Sequence, residues 1–104
     1  VSAQSRDSLP DLERAIAISP NSARLQEQLS QYYLRTGNLN RAVEAQERAV
    51  ELHPLDATHR FNLAGLYQRT GNDERAAEVL EGVEEFHMND AEKIRWERMR
   101  ITSQ

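Results

Sequence analysis

Three histidines and one tryptophan are the side chains in this sequence best suited to chemistry, and their spacing decides which chemistry is open to them. His53 and His87 stand 34 residues apart, each at the end of a stretch with helical spacing. A shared metal is the sharpest use for such a pair. Equivalent positions on stacked helices lie roughly 10 Å apart, whereas zinc needs each nitrogen at about 2.0–2.1 Å, so the two cannot hold one ion. A histidine near a helix C-terminus, where a cation suits the dipole, accounts for both. His59 has no partner at ligand spacing. The chain has no Cys, which removes disulfides, thiolate metal sites and a thiol nucleophile. It also lacks HExxH, GxSxG and a phosphate-cradling Gly loop. The sequence therefore predicts no catalytic residue, no metal ligand, no cofactor and no small-molecule substrate, and argues against an enzyme.

Trp96 stands among Lys93, Arg95, Arg98 and Arg100, with Glu97 the one acid between them. Base stacking on Trp beside Arg would suit a nucleic acid. The plainer reading is a terminal helix with Ile94 and Ile101 turned inward and its Arg side chains solvated. Residues 73–92 hold eight acids against Arg75, a net charge of −7, and the whole chain carries −4. That field repels a phosphate backbone, so RNA is disfavoured as a ligand. No apolar run approaches the roughly 18–20 residues of a membrane helix. The opening VSAQSRDSLP shows no signal-peptide pattern. A soluble protein is expected, with its compartment left open.

The elements that carry these residues follow from an internal repeat. Residues 23–56 and 57–90 agree at 14 of 34 positions, among them the whole of RTGN at 35–38 and 69–72. LERAIAISP at 12–20 aligns with QERAVELHP at 46–54, and Ala91 with Ala57 and Ala23. Within 23–36, Leu25, Leu29, Tyr32 and Tyr33 fall on one helical face. Gly37 and Gly71 suit left-handed helix ends, and Asn38 and Asn72 complete the turns. Ala42, Val43, Ala49 and Val50, then Ala76, Val79, Leu80 and Val83, mark the second helices. Pro20 and Pro54 act as stops, and Ser8 with Asp11 reads as a capping box. The expectation is an all-α chain of about six helices, near 9–18, 22–36, 39–52, 56–70, 73–86 and 90–101. The division is a flexible 1–8, the second helix of a partial repeat over 9–22, repeats at 23–56 and 57–90, and a capping helix over 91–104. Leu12, Ile16 and Ile18 then lack the helix that would precede them in a full repeat. This suggests either a piece of a longer array or an end that pairs with another copy.

The period and these residues together resemble the tetratricopeptide repeat family. Leu29 and Leu63, Tyr33 and Tyr67, Gly37 and Gly71, Ala42 and Ala76, then Ala49 and Pro54 carry the likeness over about 12–91. Departures are Ser30 and Ala64 where the family often has Gly, Gln46 for an aromatic, Val83 for a small residue and Met88 for the closing Pro. The constant period of 34 separates the chain from pentatricopeptide arrays. The resemblance implies a right-handed superhelix, an α-solenoid of antiparallel helix pairs, serving as a protein-interaction scaffold. Roughly three repeats are needed because no single helix pair covers its own apolar face.

That family binds partner peptides on the concave face of its first helices. With Leu63 set at the core direction, Phe61 falls at about 160° and Gly65 at about 200° on the helical wheel. Leu34 and Gln31 fall similarly one repeat earlier. The sequence thus predicts an exposed Phe61 as an anchor over a notch at Gly65, with Leu34 extending an apolar floor. Arg24, Arg35, Arg69 and Arg95 oppose Glu27 and Glu92 on that side, and Gln31, Thr58 and Gln68 complete it. A partner peptide with an apolar anchor and acidic flanks would fit. The family's clamp for a C-terminal carboxylate needs Lys and Asn where this chain has Glu27 and Gln31, then Phe61 and Gly65, so that clamp is absent. Self-assembly through incomplete terminal repeats is the alternative role, and RNA binding comes third.

Overall fold

The computed structural model describes residues 8–102, and every regular element in that range is helical. α1 is Leu9–Ile18, α2 Ala23–Arg35, α3 Leu39–Leu52, α4 Ala57–Arg69, α5 Asp73–Leu80 and α6 Asp90–Thr102; a single 3-10 turn, Val83–Glu85, follows α5. The fold is all-α and of the solenoid class. Residues 1–7 of the expected N-terminal segment lie outside the described residues.

The turn within each repeat is written into three residues. Gly37 has φ +85° and Gly71 φ +79°, the left-handed region that glycine enters without a Cβ penalty. Gly37 N–H donates to Leu34 O at 3.3 Å and Asn38 N–H to Tyr33 O at 2.8 Å. Gly71 and Asn72 repeat both bonds to Gln68 O and Tyr67 O at 3.1 and 2.8 Å. This is the paired closure that satisfies the last carbonyls of a helix. Thr36 and Thr70 add hydroxyl donors to Tyr33 O and Tyr67 O. The same Asn then opens the next helix: Asn38 Oδ1 accepts from Arg41 N–H and Asn72 Oδ1 from Arg75 N–H. One residue thus ends one helix and caps its successor.

The chain divides into two compact units, Val1–Pro54 and Leu55–Gln104. In the first, α2 and α3 pack as an antiparallel hairpin, with α1 against α2. Apart from Leu12, its described buried residues are small or polar: Ala23, Ser30, Ala42, Ala45, Gln46 and Ala49. Small side chains bring helix axes close, and here the approach carries hydrogen bonds. Ser30 Oγ donates to Ala42 O at 2.8 Å and Gln46 Nε2 to Glu27 Oε1 at 2.9 Å. Ser8 holds the N-cap place of α1 with extended backbone but makes no side-chain cap bond, so the expected capping box is not formed. Leu12 is buried, Ile16 half-buried and Ile18 78% exposed.

In the second unit, α4 packs against α5 and α6. Its core is apolar and larger: Phe61, Leu63, Ala64, Leu66, Tyr67, Ala76, Leu80, Val83 and Met88 are all buried. The expected helix over 73–86 stops at Leu80. Gly82 takes φ +78° and starts the 3-10 turn, within which Val83 is fully buried. Val83 stands where the first repeat has Ala49. The α-helix has already ended at Leu80, so this branched side chain enters the core from the 3-10 turn and not from a continuous helix. Ile94, expected inside, is 56% exposed.

Candidate functional site

The face of α2 that carries the predicted site residues is open. Arg24, Gln28, Gln31 and Arg35 are its exposed residues, at i, i+4, i+7 and i+11, a single stripe on the helix. Leu34 and Glu27 lie half-buried along one edge, with Glu27 engaged by Gln46. Gln28 was missed in the sequence, although its spacing from Arg24 and Gln31 places it between them.

The aligned face of α4 is different. Phe61, predicted as an exposed anchor, is fully buried, and the Arg95 guanidinium lies 5.3 Å from its ring centroid. The physical reason is α6. Thr58 Oγ1 donates to Glu92 Oε2 at 2.7 Å and Arg95 Nη2 to Asn62 Oδ1 at 2.8 Å, so α6 lies along the face that the wheel assigned to solvent. Thr58, Phe61 and Arg95 are therefore residues of the α4–α6 contact, and the apolar anchor falls with them. Gly65, Gln68 and Arg69 remain toward the end of α4. Gln68 and Arg69 are exposed, and a Cβ on Gly65 would meet nothing within 4 Å.

Glu92 holds this arrangement together. Its N–H donates to Asn89 Oδ1 at 2.8 Å, and its Oε1 accepts from Asn89 N–H at 3.0 Å, a reciprocal capping box opening α6. The bond from the Thr58 hydroxyl, then that from the Asn89 amide, holds its carboxyl below the usual carboxylate range. Asn-x-x-Glu before a helix is a readable signature; it was overlooked here.

A stacked Arg recurs with the repeat. Arg41 lies 5.8 Å from the Tyr33 ring centroid and Arg75 5.4 Å from that of Tyr67, tying the start of each second helix to the end of the first. Among the described residues no group of three or more His, Cys, Asp or Glu is placed to hold a metal. No helix among them is long and apolar enough to cross a membrane. Trp96 is half-buried, and Arg100 pairs with Glu97 at 2.9 Å.

A family comparison joins this geometry to known proteins. The tetratricopeptide repeat profile matches residues 2–51 and 27–91. The chain belongs to the tetratricopeptide repeat family. Tetratricopeptide repeats act generally as protein-interaction scaffolds. No curated protein matches the sequence significantly. Among solved structures, MamA 41-end from Desulfovibrio magneticus RS-1 is similar with a TM-score of 0.69 and 28% identity, over 88% of this chain and 46% of that one. The MamA RS-1 ArsTM double mutant gives 0.68 and 26%, over the same 88% and 46%. The chain thus spans about half the length of these tetratricopeptide-like neighbours.

Proposed function

We propose that the chain is a non-catalytic scaffold that takes an acidic segment of a partner protein along the open face of α2. One observation carries this: the exposed stripe holds two Arg and two Gln and no carboxylate, in a chain whose net charge is −4. A face kept only for solubility would mix both signs. Arg24 and Arg35 supply charge at the two ends, and Gln28 and Gln31 offer amides between them. Gly65, Gln68 and Arg69 offer a smaller surface of the same kind in the second unit. Charge complementarity of this sort raises association rate and selects partners more than it adds affinity.

The test is an array of acidic peptides set beside counterparts with Gln for every Glu and Asp. The acidic set should bind, and more weakly as salt rises. Arg24→Glu with Arg35→Glu should remove both the preference and its salt dependence. Equal binding to the Gln counterparts, or a double variant that still prefers acids, overturns the reading.

Self-association is the second reading. It draws on the apolar surface of Ile18 at the end of α1 and Ile94 on α6. Light scattering over a concentration series separates the two: a monomer up to millimolar concentration removes the ground for self-association.

A further inference from the structure

The first unit contains a cleft away from the α2 stripe, and the second repeat shows what kind of side chain suits it. The cleft lies between α2 and α3, has a volume of about 260 Å³, and is lined by Gln26, Leu29, Tyr33, Arg41, Glu44 and Ala45. It falls just below the roughly 300–1,000 Å³ of small-molecule sites, so it has room for one side chain. Its floor is apolar, from Leu29 and Ala45, and its rim is polar.

The same four positions recur in the second repeat as Leu63, Tyr67, Arg75 and Glu78. The two that differ are Gln26, replaced by Arg60, and Ala45, replaced by Val79. Arg60 reaches across from the first helix: its Nη1 donates to Val79 O at 3.1 Å, and its guanidinium lies 5.3 Å from the Phe86 ring centroid. The second repeat therefore lays an arginine over the ground that the first leaves open. It does so in the presence of the same Arg–Tyr stack, so a neighbouring guanidinium is tolerated there.

The acceptor differs between the two. α5 ends at Leu80, which leaves the Val79 carbonyl without its helical donor and free to take Arg60. α3 runs on to Leu52, so the Ala45 carbonyl lies within the helix. The acceptors at the first cleft are instead the exposed Glu44 carboxylate and the Gln26 amide oxygen. Arg41, the other charged residue of the lining, is stacked on Tyr33. An apolar floor beside that rim carboxylate matches an arginine, whose aliphatic stem packs while its head stays at the edge.

We infer that this cleft receives an arginine side chain from a protein partner, the stem over Leu29 and Ala45 and the guanidinium on Glu44. The site is separate from the α2 stripe and has the opposite charge preference.

The experiment is a titration of the 15N-labelled chain with the peptide acetyl-GSGRGSG-amide, beside the same peptide with citrulline for arginine. The arginine peptide should shift the backbone amides of Leu29 and Ala45, with a preference over citrulline of up to about fivefold, the upper end for an exposed ion pair. Glu44→Gln should remove that preference. Gln26→Arg should fill the cleft from within, raising the melting temperature and abolishing the shifts. Arg24→Glu with Arg35→Glu should leave the titration unchanged, which separates failure here from failure of the α2 reading. Equal response to citrulline, or shifts that survive Gln26→Arg, overturn the inference. Cleft signals that move with chain concentration assign a second copy instead, and signals that move on Arg6→Gln assign the chain's own N-terminal residues.

Discussion

The two repeats share a turn, a period and a stacked Arg–Tyr pair, yet their helix crossings are built from opposite materials. In the first, Ser30 bonds across to Ala42, and Gln46 bonds to Glu27. In the second, the aligned places hold Ala64, Leu80 and Phe61, all buried. The first crossing depends on satisfied polar groups, and the second on apolar area. The signature residues fix where the chain turns and how closely the helices approach. The positions between them decide which faces close and which stay open. That is why the aligned site residues of α2 and α4 have different fates.

The sharpest way to break this comparison is at the aligned pair Glu27 and Phe61. Phe61→Ala should destabilise the chain by about 3–5 kcal/mol, as truncation of a buried aromatic does, because the ring is fully buried beneath Arg95. Leu63→Ala should cost about 2–5 kcal/mol by the same argument. A denaturation midpoint unchanged by Phe61→Ala would return the ring to the surface and restore it as a candidate anchor.

A smaller effect is expected in the polar crossing. Glu27→Ala removes the acceptor from the amide of the buried Gln46. Losing a hydrogen bond to a charged acceptor costs about 1.5–3 kcal/mol. Adding Gln46→Leu, which installs the residue of the second repeat, should recover part of the loss through the apolar area it buries. Chemical denaturation of the single and double variants checks this. Additive losses would mean that the two side chains are not coupled.

What the sequence disclosed follows the same division. The turns were legible because Thr-Gly-Asn acts within its own few residues. The α4 face was misjudged because a wheel built on one helix finds the core direction of a single partner, whereas α4 packs against both α5 and α6. Ala91 aligning with Ala57 already marked α6 as a further first helix, and that was the available warning. The break at Gly82 was hidden because Val79, Leu80 and Val83 keep helical spacing, and a glycine inside such a pattern is tolerated more often than not. The open stripe on α2 was largely visible, since exposed positions on a regular helix follow from spacing alone.

Acid should expose the contact that closes the α4 face. The folded carboxyl of Glu92 is depressed by Thr58 and Asn89. Its stabilisation is therefore complete above the unfolded value of about 4.3 and is lost as pH falls through the lower folded value. Glu92→Gln should lower stability at neutral pH and flatten the loss of stability in that acid window. Melting curves at neutral and acid pH read both effects. An unchanged acid profile would remove Glu92 from the α4–α6 contact.

The smallest effect has the opposite sign and bears on function. Gly65 lies within α4, without the positive φ of Gly37, Gly71 and Gly82, and a Cβ there meets nothing within 4 Å. Its aligned residue on the open α2 face is Gln31. Gly65→Ala should stabilise the chain by about 0.5–1 kcal/mol, because glycine in a helix interior carries an entropy cost that alanine lacks. If the second unit meets a partner at Gly65, Gln68 and Arg69, the added methyl occupies the space where that partner approaches, and binding falls while stability rises. A purely structural glycine would not separate those two readouts. Melting and peptide binding measured on the same variant decide the matter: higher stability with unchanged binding restricts partner contact to the first unit.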